Sequence, residues 1–261
     1  MAGGKIVSIH SFRGGTGKSN STANIASQIA LKGKRVGIVD TDIQSPGIHV
    51  LFGLDETKMG KTLNDFLHGK CAIAEVAFNI GEKAADSEGR TKLAGKELWL
   101  FPSSIRGREI SQILREGYDV NRLNEGFQTI LKELKLDYLF IDTHPGLNEE
   151  TLLSIAISDI LIIVLRPDNQ DFQGTAVTVD IARSLDVPNL ILMVNKAVPK
   201  YDFADIKKQV EDKFHAPVAG VLPLSFDIAD NASKDIFSLR YPDHDWSKAL
   251  RGVAEAVAAV K

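Results

Sequence analysis

Apolar runs of about five residues alternate with helix-length amphipathic segments along most of the chain, the pattern of a mostly parallel sheet with crossover helices. Runs at 5–10, 35–39, 138–142, 159–165, 190–195 and 218–222 predict buried strands. They lack strict two-residue alternation, as strands covered by helices on both faces do. A further run at 97–101 predicts a strand whose direction the pattern leaves open. Helices are predicted over 19–32, 120–135, 149–157, 171–184, 203–214 and 245–260. The first carries Ile25, Ile29 and Ala30 at helical spacing and stops at Gly33, a favoured C-terminal residue. No repeat, low-complexity tract or linker divides the chain, so one α/β domain over 1–261 is expected, a three-layer sandwich around a twisted sheet. Residues 81–96 form a polar insertion with three glycines. They read as a solvated loop, or alternatively as a lid or partner-docking element. Ligands of such sheets bind at the carboxyl ends of the strands.

Composition narrows the class. The 261 residues are 44% hydrophobic and 25% charged, with 31 Lys and Arg against 34 Asp and Glu and a formal charge of −3. That balance argues against a surface coated in basic residues and leaves room for a local patch. Cys71 is the single cysteine; it makes no intramolecular disulfide and fits a reducing cytoplasm. The start MAGGKIVSIH has too short an apolar run for a signal peptide. The longest apolar candidate, 155–165, holds Ser158 and Asp159 and falls short of the roughly 20 residues that cross a bilayer. A cytoplasmic protein is expected.

The chemistry gathers after the first strand, in KIVSIH–SFRGGTGKS–NSTANIASQIA. Strand, glycine loop and helix follow in the order a phosphate-binding loop needs. Gly14, Gly15 and Gly17 free the backbone to turn its N–H groups toward phosphate oxygens. Thr16 and Asn20 belong to the same cofactor-binding stretch. The helix starts near Lys18, so its dipole faces the same oxygens. Lys18 would neutralise phosphate charge and the Ser19 hydroxyl would ligate Mg²⁺. Phe12 stands where the usual loop has its first glycine.

Three acids follow strand ends. In VGIVDTD, Asp40 and Asp42 are two apart, on one side of an extended segment. They suit a metal shell and an attacking water, although one of them, Asp42 more readily than Asp40, equally suits the cap of the turn before Ser45–Pro46–Gly47. In DYLFIDTHPGL, four apolar or aromatic residues lead to Asp142, a second metal-supporting acid. His144 has the reference pKa of a general base, but a loop histidine equally serves as a polar neighbour.

Together these pieces resemble the MinD/ParA family of deviant Walker A P-loop ATPases. FRGGTGKS at 12–19 matches that family's x-K-G-G-x-G-K-[ST] at every defined position but one. LKGKRVGIVDTD, YLFIDTHPGL, MVNK and GVLP extend the resemblance over almost the whole chain. It implies ATP and Mg²⁺, a homodimer closed face to face on two nucleotides, and slow hydrolysis stimulated by a partner or cargo-adaptor protein. By position, Lys18 is the phosphate-loop lysine, Ser19 a Mg²⁺ ligand, and Asp40 and Asp142 its support. Asp42 would orient the water, Asn195 would read adenine, and Pro223 would lie beside the base. Position 12 is unconstrained in that loop. Position 13 departs: Arg13 replaces the lysine that reaches the partner's phosphates, keeping the charge and adding a planar fork.

Arg166, Asp168, Gln170 and Asp171 are candidates for the dimer face, with Asp168 equally a helix-start residue. Metal or iron–sulfur insertion on the same fold is an alternative, weakened by the lone Cys71. A nucleotide-gated binding module of little turnover is another. Trp246, Leu250, Val253, Val257 and Val260 form one stripe of the last helix, suited to core packing more than to a membrane. Lys200, Lys207, Lys208, Lys213, Arg240, Lys248 and Arg251 are candidates for non-specific DNA binding and nucleoid association in the ATP state.

Overall fold

The computed structural model describes residues 3–83 and 86–260. Among them, eight strands form one sheet: β1 (Lys5–His10), β2 (Val36–Asp40), β3 (Phe78–Asn79), β4 (Leu98–Phe101), β5 (Tyr138–Asp142), β6 (Ile160–Leu165), β7 (Leu190–Ala197) and β8 (Val218–Pro223). Their order is β3-β4-β2-β5-β1-β6-β7-β8. All neighbours are parallel except the short edge strand β3, which runs against β4. The open direction of 97–101 is thereby settled: β4 is parallel to β2. The longer helices are α1 (Lys18–Leu31), α2 (Gly107–Glu116), α3 (Val120–Glu133), α4 (Glu149–Ala156), α5 (Asn169–Ser184), α6 (Phe203–Phe214) and α7 (Asp245–Ala259).

Side chains of each strand alternate between two helical layers. Val7, Ile9, Phe140 and Ile162 face α1 and α7, where they meet Ile25, Ile29, Leu250 and Val253. Leu139 and Ile141 face α3 through Phe127 and Ile130. Leu161 and Ile163 face α5 and α6 through Val179, Val210 and Phe214. The expected stripe on α7 is core: Trp246, Leu250, Val253 and Val257 are buried, and Val260 packs beside them. Each such side chain contributes roughly 1.5–3 kcal/mol by burial.

Two parts of the chain depart from expectation. Helix α2, along which only Ile113 is buried, is unanticipated. Residues 81–96 are not a solvated loop, although residues 84 and 85 lie outside the described residues. Two short helices, Ile80–Lys83 and Glu88–Thr91, dock on the body. The reason is Asp235, which is fully buried. It accepts bonds from Ser87 Oγ (2.7 Å), Gly89 N (2.8 Å) and Arg90 N (3.0 Å). The Arg90 guanidinium in turn donates to Leu51 O (3.0 Å) and Lys234 O (2.7 Å). Gly81 lets the segment close, since a Cβ there would lie 1.8 Å from Lys96 O.

Asp235→Ala should strand those donors and lower the melting temperature by roughly 5–10 °C. Amide hydrogen exchange should then localise the lost protection to residues 86–96. Unchanged protection there would show that another contact holds the segment.

Candidate nucleotide-binding site

The turn from β1 into α1 is set by two glycines in the left-handed region, Gly15 at φ +77° and Gly17 at φ +91°. Gly17 has a second requirement: a Cβ would lie 2.5 Å from Asn195 Nδ2. Gly17 is also the N-cap of α1, with no side-chain cap and no acid in the first turn. The first N–H groups of α1 are thus left for an anion. Lys18 and Ser19 occupy that first turn, with Asn20 behind them bonded to Asn24. The loop backbone is strutted from β7, where Asn195 Nδ2 donates to Thr16 O (2.8 Å) and Lys196 Nζ to Gly15 O (2.7 Å). Asn195 is expected at the base, and Lys196 carries no expected role. The structure places both on the loop.

Beneath the loop, Lys18 Nζ meets Asp142 Oδ1 at 2.9 Å, with both side chains buried. Thr22 Oγ1 donates to the same oxygen at 3.0 Å. Asp142 Oδ2 is buried without a partner. Asp40 lies abreast of Asp142 in the β2–β5 register. Its oxygens accept from the N–H of Asp42 (3.1 Å), Gly47 (3.2 Å) and Ile48 (3.4 Å). Burial, and then the charge of Asp142, push the Asp40 carboxyl up to about 8. Asp42 Oδ1 accepts from Ser45 N (3.2 Å) and Ser45 Oγ (3.1 Å), so it does cap the turn. His144 Nε2 stands 3.9 Å from Asp42 Oδ1, while its Nδ1 contacts Pro145 O at 2.7 Å.

These residues fit a phosphate group and a divalent cation. Asp142 has a free buried oxygen, Thr16 Oγ1 is likewise unpartnered, and nothing lies within 4 Å of a Cβ built on Gly15. Among the described residues no three His, Cys, Asp or Glu side chains converge to hold a metal by themselves. A magnesium ion here would draw on one or two carboxylates, the Ser19 hydroxyl and phosphate oxygens. A cavity of about 390 Å³ opens between the ends of β7 and β8, lined by Pro199, Tyr201, Pro223, Leu224, Ser225 and His244. Its size and mixed lining suit a nucleobase.

Comparison with known proteins agrees with this geometry. A protein-family profile described as an AAA domain matches residues 4–188. An uncharacterized ATP-binding protein of Methanocaldococcus jannaschii is 26% identical over 98% of this chain and 88% of its own length. An iron–sulfur cluster carrier protein of Rickettsia felis is 27% identical over 89% of this chain, which spans 65% of that relative. The septum site-determining protein MinD of Pyrococcus horikoshii, solved with Mg-ADP, shares the fold at TM-score 0.79 and 19% identity, over 98% of this chain and 96% of that one. The chain belongs to the MinD/ParA family of P-loop ATPases.

Against that family's pattern, the two residues ahead of the glycines become informative. Phe12 is not unconstrained. A Cβ on Gly174 would lie 2.1 Å from its ring, so Phe12 packs where α5 has no side chain. Arg13 is 41% exposed and turned onto its own chain. Its Nη1 donates to Gln170 Oε1 and lies 3.9 Å from Asp171 Oδ1. Of the dimer-face candidates, Asp171 is buried and gripped in pairs by Arg166, at 3.0 Å from Nε and 2.9 Å from Nη2. Asp168 is the N-cap of α5, accepting from Gln170 N and Asp171 N. Gln170 lines a groove of about 320 Å³ with Arg13, Phe12, Gln173, Gly174 and Val177.

The basic residues offered for DNA are not gathered into one patch. Lys207, Lys208 and Lys213 ride on α6 and Lys248 and Arg251 on α7, in opposite layers. Lys207, Arg240 and Lys248 stand within 4.0 Å of Glu211, Glu88 and Asp245. No helix of the described residues is long and apolar enough to cross a membrane.

The raised Asp40 carboxyl has a testable sign. A folded-state pKa above the unfolded value stabilises the fold most at low pH, and the benefit fades as pH rises toward about 8. In EDTA, the stability lost on Asp40→Ala should therefore be larger at pH 5 than at pH 8, by up to about 4 kcal/mol. Denaturant melts at the two pH values check this, and equal losses would contradict it.

Proposed function

We propose that this chain is an ATP-driven molecular switch in the cytoplasm. In this reading it binds ATP with Mg²⁺, closes into a homodimer around two nucleotides, and hydrolyses slowly until a partner protein stimulates it. The cycle would position or partition a cargo. One observation carries the reading: Lys18 is buried under an open glycine loop against Asp142, whose second oxygen is unpartnered. A lysine and a carboxylate left incompletely satisfied in that place suit an arriving phosphate and cation better than a purely structural pair.

The roles follow from position. Lys18 would turn from Asp142 toward the phosphates, leaving Asp142 and Asp40 to support Mg²⁺ together with Ser19 Oγ. Bound Mg²⁺ supplies charge neutralisation at the transferred phosphoryl group. Gly14, Gly15, Thr16 and Gly17 would line the phosphates with N–H groups, and Asn20 would back the loop. Pro223 and its neighbours would flank the adenine. Asp42, fixed by Ser45, would orient the attacking water with its other oxygen. Arg13 would leave Gln170 and reach the partner's phosphates, doing the work of the family's lysine.

The name of the iron–sulfur carrier relative raises a second reading. Cys71, the residue it would use, packs beside the Phe66–Phe127 cluster, and burial raises its thiol above the usual range. That disfavours a ready metal-binding thiolate.

Lys18→Ala should abolish ATP binding measured by calorimetry. Asp42→Ala should keep binding, lower turnover about 10²–10³-fold, and accumulate as an ATP-bound dimer in light scattering. Arg13→Ala should bind ATP as a monomer, with Arg13→Lys restoring the dimer. Unchanged dimerisation and turnover in Arg13→Ala would remove its crossing role.

A further inference from the structure

Asn195 has both ends of its amide engaged. Nδ2 donates to Thr16 O at 2.8 Å, and Oδ1 accepts from the indole Nε1 of Trp246 at 3.3 Å. The indole can only donate and the loop carbonyl can only accept. A flipped amide would set N–H against N–H and oxygen against oxygen, so Trp246 fixes which end of Asn195 faces the phosphate loop. Trp246 is itself held firmly. It is buried in the first turn of α7, with Phe237 edge-on at 5.7 Å. Its backbone N–H is capped by His244 Nδ1 at 3.0 Å. Because that nitrogen accepts, His244 Nε2 carries the proton and donates to Asp227 Oδ2 at 3.2 Å.

His244 and its neighbours Ser225 and Asp245 are also walls of the 390 Å³ cavity between β7 and β8. The cavity wall and the phosphate loop are thus joined by three consecutive links: His244 to Trp246, Trp246 to Asn195, and Asn195 to Thr16. We infer that Trp246 is a positioning residue that transmits the state of the base pocket to the phosphate loop through Asn195. This rests on the reading of the site as an ATP site. The role does not touch the nucleotide; it sets where Thr16 O, and hence the N–H of Gly17 beside it, stands before ligand arrives. Base contact with the His244–Asp245 wall pulls on the same chain that shapes the phosphate cradle, so base and phosphates bind cooperatively.

The experiment is a double-mutant cycle on binding of a fluorescent ATP analogue. Trp246→Phe keeps an aromatic ring and removes the donor, leaving Asn195 Oδ1 buried and unpaired; Kd should rise about tenfold. Asn195→Ala should raise it at least as much, and the double variant should be no weaker than Asn195→Ala alone. Binding by Trp246→Phe at the wild-type Kd overturns the inference. Effects that multiply in the double variant overturn it too, because they mark a packing defect independent of Asn195. A second measurement uses the native indole. With Trp99→Phe removing the other tryptophan, emission from Trp246 should shift on adding ATP, and less on adding inorganic triphosphate, which has no base. An emission unmoved by ATP while ATP binds is a further refutation. Wild-type protein that binds ATP no better than Lys18→Ala overturns the ATP-site reading, a result distinct from a normal wild type with a silent Trp246→Phe.

Discussion

A lysine and an aspartate buried 2.9 Å apart at the head of the sheet set the terms for everything around them. Removing both from water is expensive, and their attraction repays it only when the remaining lone pairs and protons are satisfied. Here they are not, since Asp142 Oδ2 has no partner, and Asp40 adds a second carboxylate in direct register. One lysine between two acids leaves the cluster short of positive charge once both acids ionise. A phosphate alone would worsen that balance and a divalent cation alone would leave Lys18 with nothing new to bind. Only the two together complete it. The parallel register of β1, β2 and β5 makes the cluster possible, bringing residues 18, 40 and 142 to one point.

The glycine loop above the cluster is held from both sides, by different means. On the β7 side the ties are hydrogen bonds from Asn195 and Lys196 to backbone carbonyls. On the α5 side the ties are steric and ionic: Phe12 against the bare face of Gly174, and Arg13 against Gln170 and Asp171. These differ in how easily they let go. Arg166 already satisfies both oxygens of Asp171, so the departure of Arg13 strands no buried carboxylate. The Phe12 contact has no such substitute. The α5 side therefore combines a steric anchor with a partly exposed arginine on which Asp171 does not depend.

Much of this was legible in the sequence, and the boundary has a physical cause. Strands covered on both faces write themselves as apolar runs, and GGTGKS between a strand and a helix states its chemistry within a few residues. What escaped depends on partners far along the chain. Asp235 organises the 86–96 segment across 148 residues, and Phe12 needs a glycine at 174 to make sense. Trp246 reads as one member of an apolar stripe, which it is, while its single polar atom reaches Asn195. Periodicity reports the face a residue buries and is silent on where one N–H ends up. Asp42 marks the opposite limit, because its two readings, turn cap and water ligand, use different oxygens and need not compete.

The layer under β1 bears on what the site responds to. Beside the apolar clusters that face α3 and α5, β1 also buries two polar side chains, Ser8 and His10. Ser8 Oγ donates to Ser154 O at 2.9 Å, and Ser158 Oγ donates to Ser8 Oγ at 2.6 Å. Thr143 Oγ1 donates to Ile9 O at 3.0 Å and meets His10 Nδ1 at 2.8 Å. The hydroxyl proton is spent on Ile9, so His10 donates from Nδ1 and its unpartnered Nε2 is a bare lone pair, the less costly atom to leave dry. An apolar interface tolerates small slides, whereas directional bonds select one register. This seam therefore fixes α4 against β1, and with it the loop whose Gly146 N–H donates to Ser11 O at 3.2 Å. Burial, then the charges of Lys18 and His144, lower His10 to about 3. It stays neutral across the physiological range, and the seam carries no proton switch. The unsatisfied charge of the site lies above the seam, at Asp142, whose second oxygen is buried without a partner.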